Sequence, residues 1–196
     1  MLSYCDRRMT RPRARHIVIT GPMGIGKTTV GERLADVLDR PFIDSDRVLE
    51  QRVGMSGAEV ASSVGVDRLH QIELEVFAES CKSETASVIA AASSVVDHPE
   101  GRSLMSEHIT VVLTAPDQVI AGRANQGDHR RPVDAETRAN LLERRRPHLG
   151  EVSGLQVETG SLTPEAVVDR ILEFLCSDAL GAIPDGGDGS TPPALT

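Results

Sequence analysis

The sequence predicts an α/β fold, with a parallel β-sheet between two layers of helices, on three observations. Apolar runs rich in β-branched residues, among them residues 16–20 and 109–114, are continuous rather than alternating, as is typical of strands buried on both faces. Segments with apolar residues at helical spacing separate these runs along the chain. A glycine-rich motif joins the first such strand to the first such helix. Together they predict a three-layer αβα architecture.

The positions of the individual strands and helices are predicted from apolar runs and from residues that are typical of helix ends. Strands are predicted at residues 16–20, 41–43, 86–91, 109–114 and 155–158. Ser56 and Glu59 form a capping box, Asp134 is a helix cap, and Thr163 with Pro164 supplies an N-cap followed by an N1 proline. With the helical spacing of apolar residues, these signals predict helices at residues 28–40, 46–52, from 56, 65–81, from 116, 134–147 and 163–175.

The glycine-rich motif, residues 21–28, has the form G-x-x-x-x-G-K-T of a phosphate-binding loop. Its glycines permit positive φ, so successive N–H groups can point at phosphate oxygens, and the following helix presents its positive end to the same anion. Lys27 is expected to reach the β- and γ-phosphates, and the Thr28 hydroxyl to ligate Mg²⁺. A chance match in a glycine-rich turn is the alternative, but the flanking strand and helix argue against it. The residues of this loop predicted to bind the nucleotide are Gly21, Met23, Gly24, Ile25, Gly26, Lys27, Thr28 and Thr29.

Two carboxylates, Asp44 and Asp46, follow the second predicted strand. Open α/β sheets bind their ligands at the carboxyl ends of strands, so one carboxylate can serve Mg²⁺ through water while the other meets the substrate. Asp44 or Ser45 as a simple cap of the next helix is the alternative, and both interpretations can hold at once.

Composition excludes several functional classes. The 196 residues carry a net charge of −8 and only 2% aromatic residues, which argues against a nucleic-acid-binding role. No apolar run is long enough to span a membrane, and the three cysteines are far apart in sequence, as in a protein with reduced thiols. The expectation is a cytoplasmic protein with a small-molecule substrate and no nucleic-acid or membrane partner, as a monomer or a weak homodimer.

The chain divides into one domain and two tails. Residues 1–15 hold five arginines without periodicity and are expected to be a disordered basic leader. Residues 16–176 form the predicted domain, and residues 177–196, rich in Gly, Pro and Asp, are expected to be disordered. Within the domain, the polar, glycine-containing and basic stretch about residues 123–133 suits a mobile lid over the phosphates.

The chain resembles the shikimate kinase family, within the nucleoside-monophosphate-kinase-like P-loop kinases. The resemblance covers nearly all of residues 16–175. It rests on the loop and helix at residues 21–35, on Phe42-Ile43-Asp44-Ser45-Asp46, Glu50-Gln51-Arg52, Glu73, residues 95–102, Arg123, Arg131-Pro132 and Arg145-Arg146-Pro147. It implies a five-stranded parallel sheet of order 2-3-1-4-5, ATP and Mg²⁺ as cosubstrates, and phosphorylation of the 3-hydroxyl of shikimate.

The resemblance also implies roles for individual residues. Asp46 would hydrogen-bond the acceptor hydroxyl and help to deprotonate it, while Asp44 would hold the magnesium shell. Arg145 would bind the substrate carboxylate, and Arg123 would stack on adenine. Arg131, on the lid, would bridge phosphate and substrate and act in catalysis with Lys27 and Asp46.

Two departures from the family pattern fall in the acceptor site. His70 stands where the family has an arginine for the shikimate carboxylate, and the loss of that charge-assisted pair should cost ~2–3 kcal/mol of binding. Ala91, Ala92 and Ser93 align with a family Gly-Gly-Gly, and their side chains are expected to intrude where backbone would approach the substrate ring. These four residues complete the predicted acceptor site.

Three functions fit this pattern. A shikimate kinase with weakened acceptor binding is the best match. A kinase for another small polyol or hydroxy-acid, such as gluconate, is the second, and a nucleotide-binding regulatory or pseudo-kinase module is the third. The retained Asp46, Arg131 and Arg145 argue against the third. The sequence has no N-K-x-D segment, which argues against a GTPase.

Overall fold

Five strands form one sheet in the computed structural model, which describes residues 15–124 and 134–181. In chain order the strands are β1 (Ile17–Thr20), β2 (Phe42–Asp44), β3 (Val88–Ala90), β4 (Ile109–Thr114) and β5 (Leu155–Glu158). Their spatial order is β2-β3-β1-β4-β5, and each neighbouring pair is parallel. The predicted parallel sheet of order 2-3-1-4-5 is therefore confirmed.

Helices cover both faces of this sheet. They are α1 (Lys27–Leu38), α2 (Ser45–Val53), α3 (Gly57–Val64), α4 (Val66–Ser80), a 3₁₀ helix (Ser93–Asp97), α5 (Pro99–Ser106), α6 (Asp117–Ala124), α7 (Ala135–Val152) and α8 (Pro164–Gly181). The capping box predicted at Ser56 and Glu59 is present at the start of α3, and Asp134 caps α7 by accepting from the Thr137 amide. No helix among the described residues is long and apolar enough to cross a membrane.

Alternation along the strands divides the core into two layers. Ile17 and Ile19 of β1 pack on one face with the apolar sides of α1 and α8, while Val18 between them packs on the other with Phe77 of α4 and Val152 of α7. The side chains of Ile17, Val18 and Ile19 are all fully buried. The sheet is thus covered on both sides, as its continuous apolar strands predict.

The strand register places the ends of β1, β2 and β3 side by side. Ala90, the last residue of β3, pairs with Ile19 of β1 and with Asp44 of β2. The loop after β1, the acidic segment after β2 and the residues after β3 therefore emerge at one edge of the sheet. That edge is where parallel α/β sheets form their sites.

The structure differs from the prediction at several element boundaries. Helix α7 does not end at Pro147 but continues to Val152, because Leu149 and Val152 are buried against the sheet and outweigh the lost hydrogen bond. The 3₁₀ helix and α5 are not predicted, and α8 extends to Gly181, past the expected domain end at residue 176. The predicted disorder of both tails stays a prediction, since residues 1–14 and 182–196 lie outside the described part of the chain.

Candidate active site

The loop between β1 and α1 has the backbone that a phosphate cradle requires. Gly21, Gly24 and Gly26 have φ values of 142°, 83° and 103°, in the left-handed region that side chains disfavour. A Cβ atom at Gly21 would also lie 2.4 Å from the carbonyl oxygen of Leu113. Glycine at position 21 is thus required both by conformation and by the closeness of β4.

The start of helix α1 lies at the end of this loop. Its N-cap residue is Gly26, which has no side chain that could cap the first turn, so the amides of that turn are left to an external acceptor. Lys27 folds back along the loop, where its Nζ donates to the carbonyl oxygens of Gly21 (3.1 Å) and Pro22 (3.3 Å). The ammonium group and the helix end therefore lie on the same loop, as the motif predicts.

Asp44 joins the phosphate loop to the end of β2. Its Oδ2 accepts from the Thr28 hydroxyl at 2.7 Å, while its Oδ1 accepts from the backbone amides of Asp46 (3.0 Å) and Arg47 (3.4 Å). The carboxylate thus caps α2 and at the same time contacts the threonine that is predicted to ligate a metal. The capping interpretation of Asp44 is therefore confirmed, whereas its role toward magnesium stays a prediction. Among the described residues, no cluster of three or more His, Cys, Asp or Glu side chains suits a metal ion, so any cation here would depend on further oxygens.

Asp46 lies in the first turn of α2, directly after the carboxyl end of β2, and its side chain is exposed. The negative charge of Asp46 is one of the causes that raise the pKa of Glu73 on α4. Burial is the main cause that raises the pKa of Glu73 to about 7, opposed by the hydrogen bond from Ser94 and by the charges of Arg145 and Lys27. The carboxyl of Glu73 thus interacts with the charge of Lys27 in the phosphate loop and with that of Arg145 on α7, although Glu73 is absent from the predicted site.

Arg145 of α7 is buried and tightly held. Its Nε and Nη2 donate to the carboxylate of Asp97, at 3.0 Å and 2.7 Å from Oδ2, and its Nη1 donates to Ser93 Oγ at 2.9 Å. The Asp97 carboxylate also accepts from Arg144 Nη2 at 3.1 Å. Burial would raise the pKa of Asp97, but the hydrogen bonds and charges of the two arginines hold that pKa below its usual value. Asp97 is therefore ionised at neutral pH.

His70 of α4 lies beside this pair in a cleft of about 720 Å³. Burial and the positive charge of Arg145 lower the pKa of His70, so its imidazole is neutral at pH 7. The cleft is also lined by Asp67, Asp97 and Arg144. The structure thus brings His70, Ser93 and Arg145 together and adds Asp97, which accepts from Arg145 and lines the same cleft as His70.

Four further residues of the predicted site are Ala91, Ala92, Arg123 and Arg131, and the structure describes the side chains of the two alanines alone among these four. The methyl group of Ala91 is fully buried in the same cluster as Val18 and Phe77, and Ala92 is only 8% exposed. The expectation that the Ala91 side chain intrudes into the acceptor space is therefore wrong, because that side chain packs into the core. Arg131 and most of the predicted lid lie outside the described residues, as does the side chain of Arg123 on α6.

The remaining residues of the phosphate loop that are predicted to bind the nucleotide differ in their exposure to solvent. Ile25 is buried in the core, whereas Met23 and Thr29 are exposed. The side chain of Ile25 therefore anchors the loop, and only its backbone can contact a nucleotide. The nucleotide contacts of all three residues stay predictions.

Sequence analysis missed Glu73, Ser94 and Asp97 as site residues. The signal for Glu73 is its position one helical turn after His70 on the same helix. Asp97 has no comparable signal, because its role depends on Arg145, 48 residues away.

A family model described as shikimate kinase matches residues 23–176 of the chain. A shikimate kinase from Corynebacterium efficiens is 35% identical over 168 residues, which cover 83% of this chain and 97% of that protein. The family match therefore runs from the phosphate loop to helix α8.

Solved structures agree with the sequence matches. A shikimate kinase from Acinetobacter baumannii, in complex with shikimate, superposes with a TM-score of 0.79 at 28% identity, over 84% of this chain and 94% of that one. A gluconokinase from Sinorhizobium meliloti gives a TM-score of 0.55 at 20% identity, over 87% of this chain and 97% of that one. The second likeness extends to the fold alone.

Proposed function

The chain belongs to the shikimate kinase family, and we propose that it transfers the γ-phosphoryl group of ATP to the 3-hydroxyl group of shikimate. The observation that carries this proposal is the position of Asp46. Its backbone amide is bonded to the same Asp44 carboxylate that contacts Thr28 of the phosphate loop. The main chain of Asp46 is thereby held beside groups suited to a nucleotide, and its exposed carboxylate is suited to an acceptor hydroxyl.

The donor side is built from main-chain amides and one ammonium group. The glycine loop and the first turn of α1 bind phosphate oxygens, and Lys27 neutralises charge that develops on the γ-phosphoryl group. Binding there requires the Lys27 ammonium to exchange its bonds to the loop carbonyls for bonds to phosphate. The predicted stacking of Arg123 on adenine remains part of the proposal.

The Thr28 hydroxyl and the Asp44 carboxylate fit Mg²⁺, because both are hard oxygen ligands and lie 2.7 Å apart. Magnesium bound with ATP would supply positive charge to the β- and γ-phosphate oxygens. A single protein carboxylate suffices for such a site, since Mg²⁺ usually keeps several waters and takes further oxygens from the nucleotide.

Transfer proceeds in line in this proposal. The Asp46 carboxylate accepts the proton of the acceptor hydroxyl, whose oxygen forms the new bond to phosphorus. The bond from phosphorus to the bridging oxygen breaks, and ADP leaves. Arg131, at its predicted lid position, would add positive charge to the migrating group and help to exclude water.

The acceptor side is proposed to lie between α4, the 3₁₀ helix and α7. His70, Ser93 and Arg145 converge there, and the carboxyl of Glu73, on the same helix as His70, interacts with the charges of both Arg145 and Asp46. Ser93 and the backbone after β3 are placed to contact the ring of the acceptor. The pseudo-kinase and gluconate alternatives are less well supported, since the acceptor carboxylate Asp46 is retained and the likeness to a gluconokinase extends to the fold alone.

Location and assembly are proposals from the sequence. We expect a cytoplasmic monomer or weak homodimer, on the basis of the reduced-thiol pattern and the acidic net charge of −8. Gel filtration with light scattering measures the assembly directly.

Product identification tests the proposed function. Purified protein is incubated with ATP, MgCl₂ and shikimate, ADP is measured by a coupled assay, and the acceptor is analysed by mass spectrometry and ³¹P NMR. The expected result is one phosphoryl group added to shikimate for each ADP formed. ADP with free phosphate and unmodified shikimate would contradict the proposal.

A further inference from the structure

The guanidinium predicted to bind the acceptor carboxylate already has a carboxylate partner in this protein. The Nε and Nη2 groups of Arg145 donate to the Asp97 carboxylate along one edge of the guanidinium, and Nη1 donates to Ser93. The side chains of Arg145 and Asp97 are only 9% and 17% exposed, so the pair is weakly screened by solvent. The pair as a unit carries no net charge.

The second group expected to contact that carboxylate is also neutral. His70 occupies the position of an arginine in the family pattern, and burial together with the charge of Arg145 lowers the pKa of its imidazole. Two further cations line the cleft: Arg144, which is exposed and also donates to Asp97, and Arg68, which is exposed and paired with Glu75. Solvent screens both charges, so the described groups around the acceptor side offer hydrogen bonds but little positive charge that is both buried and uncompensated.

We propose that Asp97 is a specificity-determining residue: it compensates the charge of Arg145, so the enzyme binds its acceptor chiefly through hydroxyl groups and gains little from the acceptor's carboxylate. This inference rests on the proposed function, because it concerns the same acceptor site. A carboxylate that approached Arg145 would share the guanidinium with Asp97, and the repulsion between two carboxylates would offset the attraction. Asp97 acts through Arg145 and is therefore a positioning residue.

The test compares shikimate with its primary amide, which has the same hydroxyl groups and nearly the same shape but no charge. The measured quantity is the ratio of kcat/KM for the two acceptors at saturating ATP. For the wild-type enzyme the expected ratio is within about tenfold, because a compensated arginine contributes at most about one such factor. A preference for shikimate above about a hundredfold would overturn the proposal. This comparison requires no variant.

Asp97→Asn is a sharper test, because it removes the negative charge that compensates Arg145 while it keeps a hydrogen-bonding side chain of similar size. The preference for shikimate over the amide should rise by about tenfold or more, mostly through a lower KM for shikimate, while the KM for ATP stays unchanged. An equal loss with both acceptors would mean that Asp97 only holds Arg145 in place, and would overturn the proposal.

Asp169→Asn is the matched control. It removes the same charge at an exposed position of α8, a helix that contributes no residue to the lining of the cleft among the described residues. It should leave the preference unchanged, and a rise equal to that of Asp97→Asn would contradict a specific role for Asp97. Thermal unfolding of each variant confirms that the protein is folded.

The outcomes separate this inference from the proposed function. Phosphorylation of shikimate without its amide would overturn the inference alone, whereas phosphorylation of the amide without shikimate would overturn the proposed substrate and support the inference. Phosphorylation of neither would overturn both. Comparable phosphorylation of both supports both.

Discussion

The two halves of the candidate site are built in different ways. The predicted nucleotide half is one continuous stretch, residues 21–28, which offers main-chain amides in a loop of positive φ angles. The acceptor half consists of side chains from α2, α4, the 3₁₀ helix and α7, held by contacts such as that between Arg145 and Asp97. A site made of main-chain amides tolerates few substitutions, whereas the specificity of a site made of side chains can change with single substitutions.

The largest effect is expected from Lys27→Ala in the nucleotide half. It removes the only ammonium group of the phosphate loop, which stabilises charge in the transition state, so kcat/KM should fall by about a thousandfold. Steady-state ADP release with shikimate is the measurement. Lys82→Ala, at an exposed position after α4, should leave the rate unchanged. Equal rates for Lys27→Ala and wild type would remove Lys27 from the mechanism.

Gly21→Ala tests whether the nucleotide half depends on backbone. The added methyl group would lie 2.4 Å from the Leu113 carbonyl oxygen at a φ of 142°, so the loop must shift, and the KM for ATP should rise by about ten- to a hundredfold. The same change at Gly150, where a Cβ meets no atom within 4 Å, serves as the control. An unchanged KM for ATP would show that the loop tolerates side chains.

Arg145→Lys tests the acceptor half. Lysine keeps the charge but lacks the planar fork that reaches Asp97 and Ser93 at once, so the KM for shikimate should rise by about tenfold. The KM for ATP should stay within about twofold of wild type. A larger effect on ATP than on shikimate would place Arg145 in the nucleotide half instead.

Glu73→Gln should have the smallest effect on turnover and a clear effect on the pH dependence of stability. The pKa of Glu73 is raised in the folded state from 4.5 to about 7, so between these values the folded protein holds a proton that the unfolded chain has lost. The free energy of unfolding of wild type, relative to Glu73→Gln, should therefore fall as pH rises from about 4.5 to about 7 and then level off. Urea unfolding at a series of pH values measures it. A constant difference would contradict the buried state of this carboxyl.

Sequence analysis predicts the part of the molecule that local patterns specify. The order of the sheet, the phosphate loop and the capping box at Ser56 all follow from short segments or from the family resemblance that they carry. The end of α7 is missed because tertiary burial of Leu149 and Val152 overrides the local effect of Pro147.

The acceptor half is predicted less well because its chemistry depends on pairs that are distant in sequence. Arg145 and Asp97 are 48 residues apart, and Ser94 and Glu73 are 21 residues apart. No local pattern indicates that Asp97 would compensate Arg145, or that the side chain of Ala91 would face the core. Substitutions such as His70 are visible in the sequence, but the neutrality of its imidazole depends on burial beside Arg145.

The most direct test of the proposed mechanism is Asp46→Asn, measured for nucleotide binding and for phosphoryl transfer on the same preparation. We expect an ATP dissociation constant within about twofold of wild type, together with at least about a hundredfold slower transfer to shikimate in a single turnover. Transfer at the wild-type rate would contradict the assignment of Asp46 as the group that receives the acceptor proton.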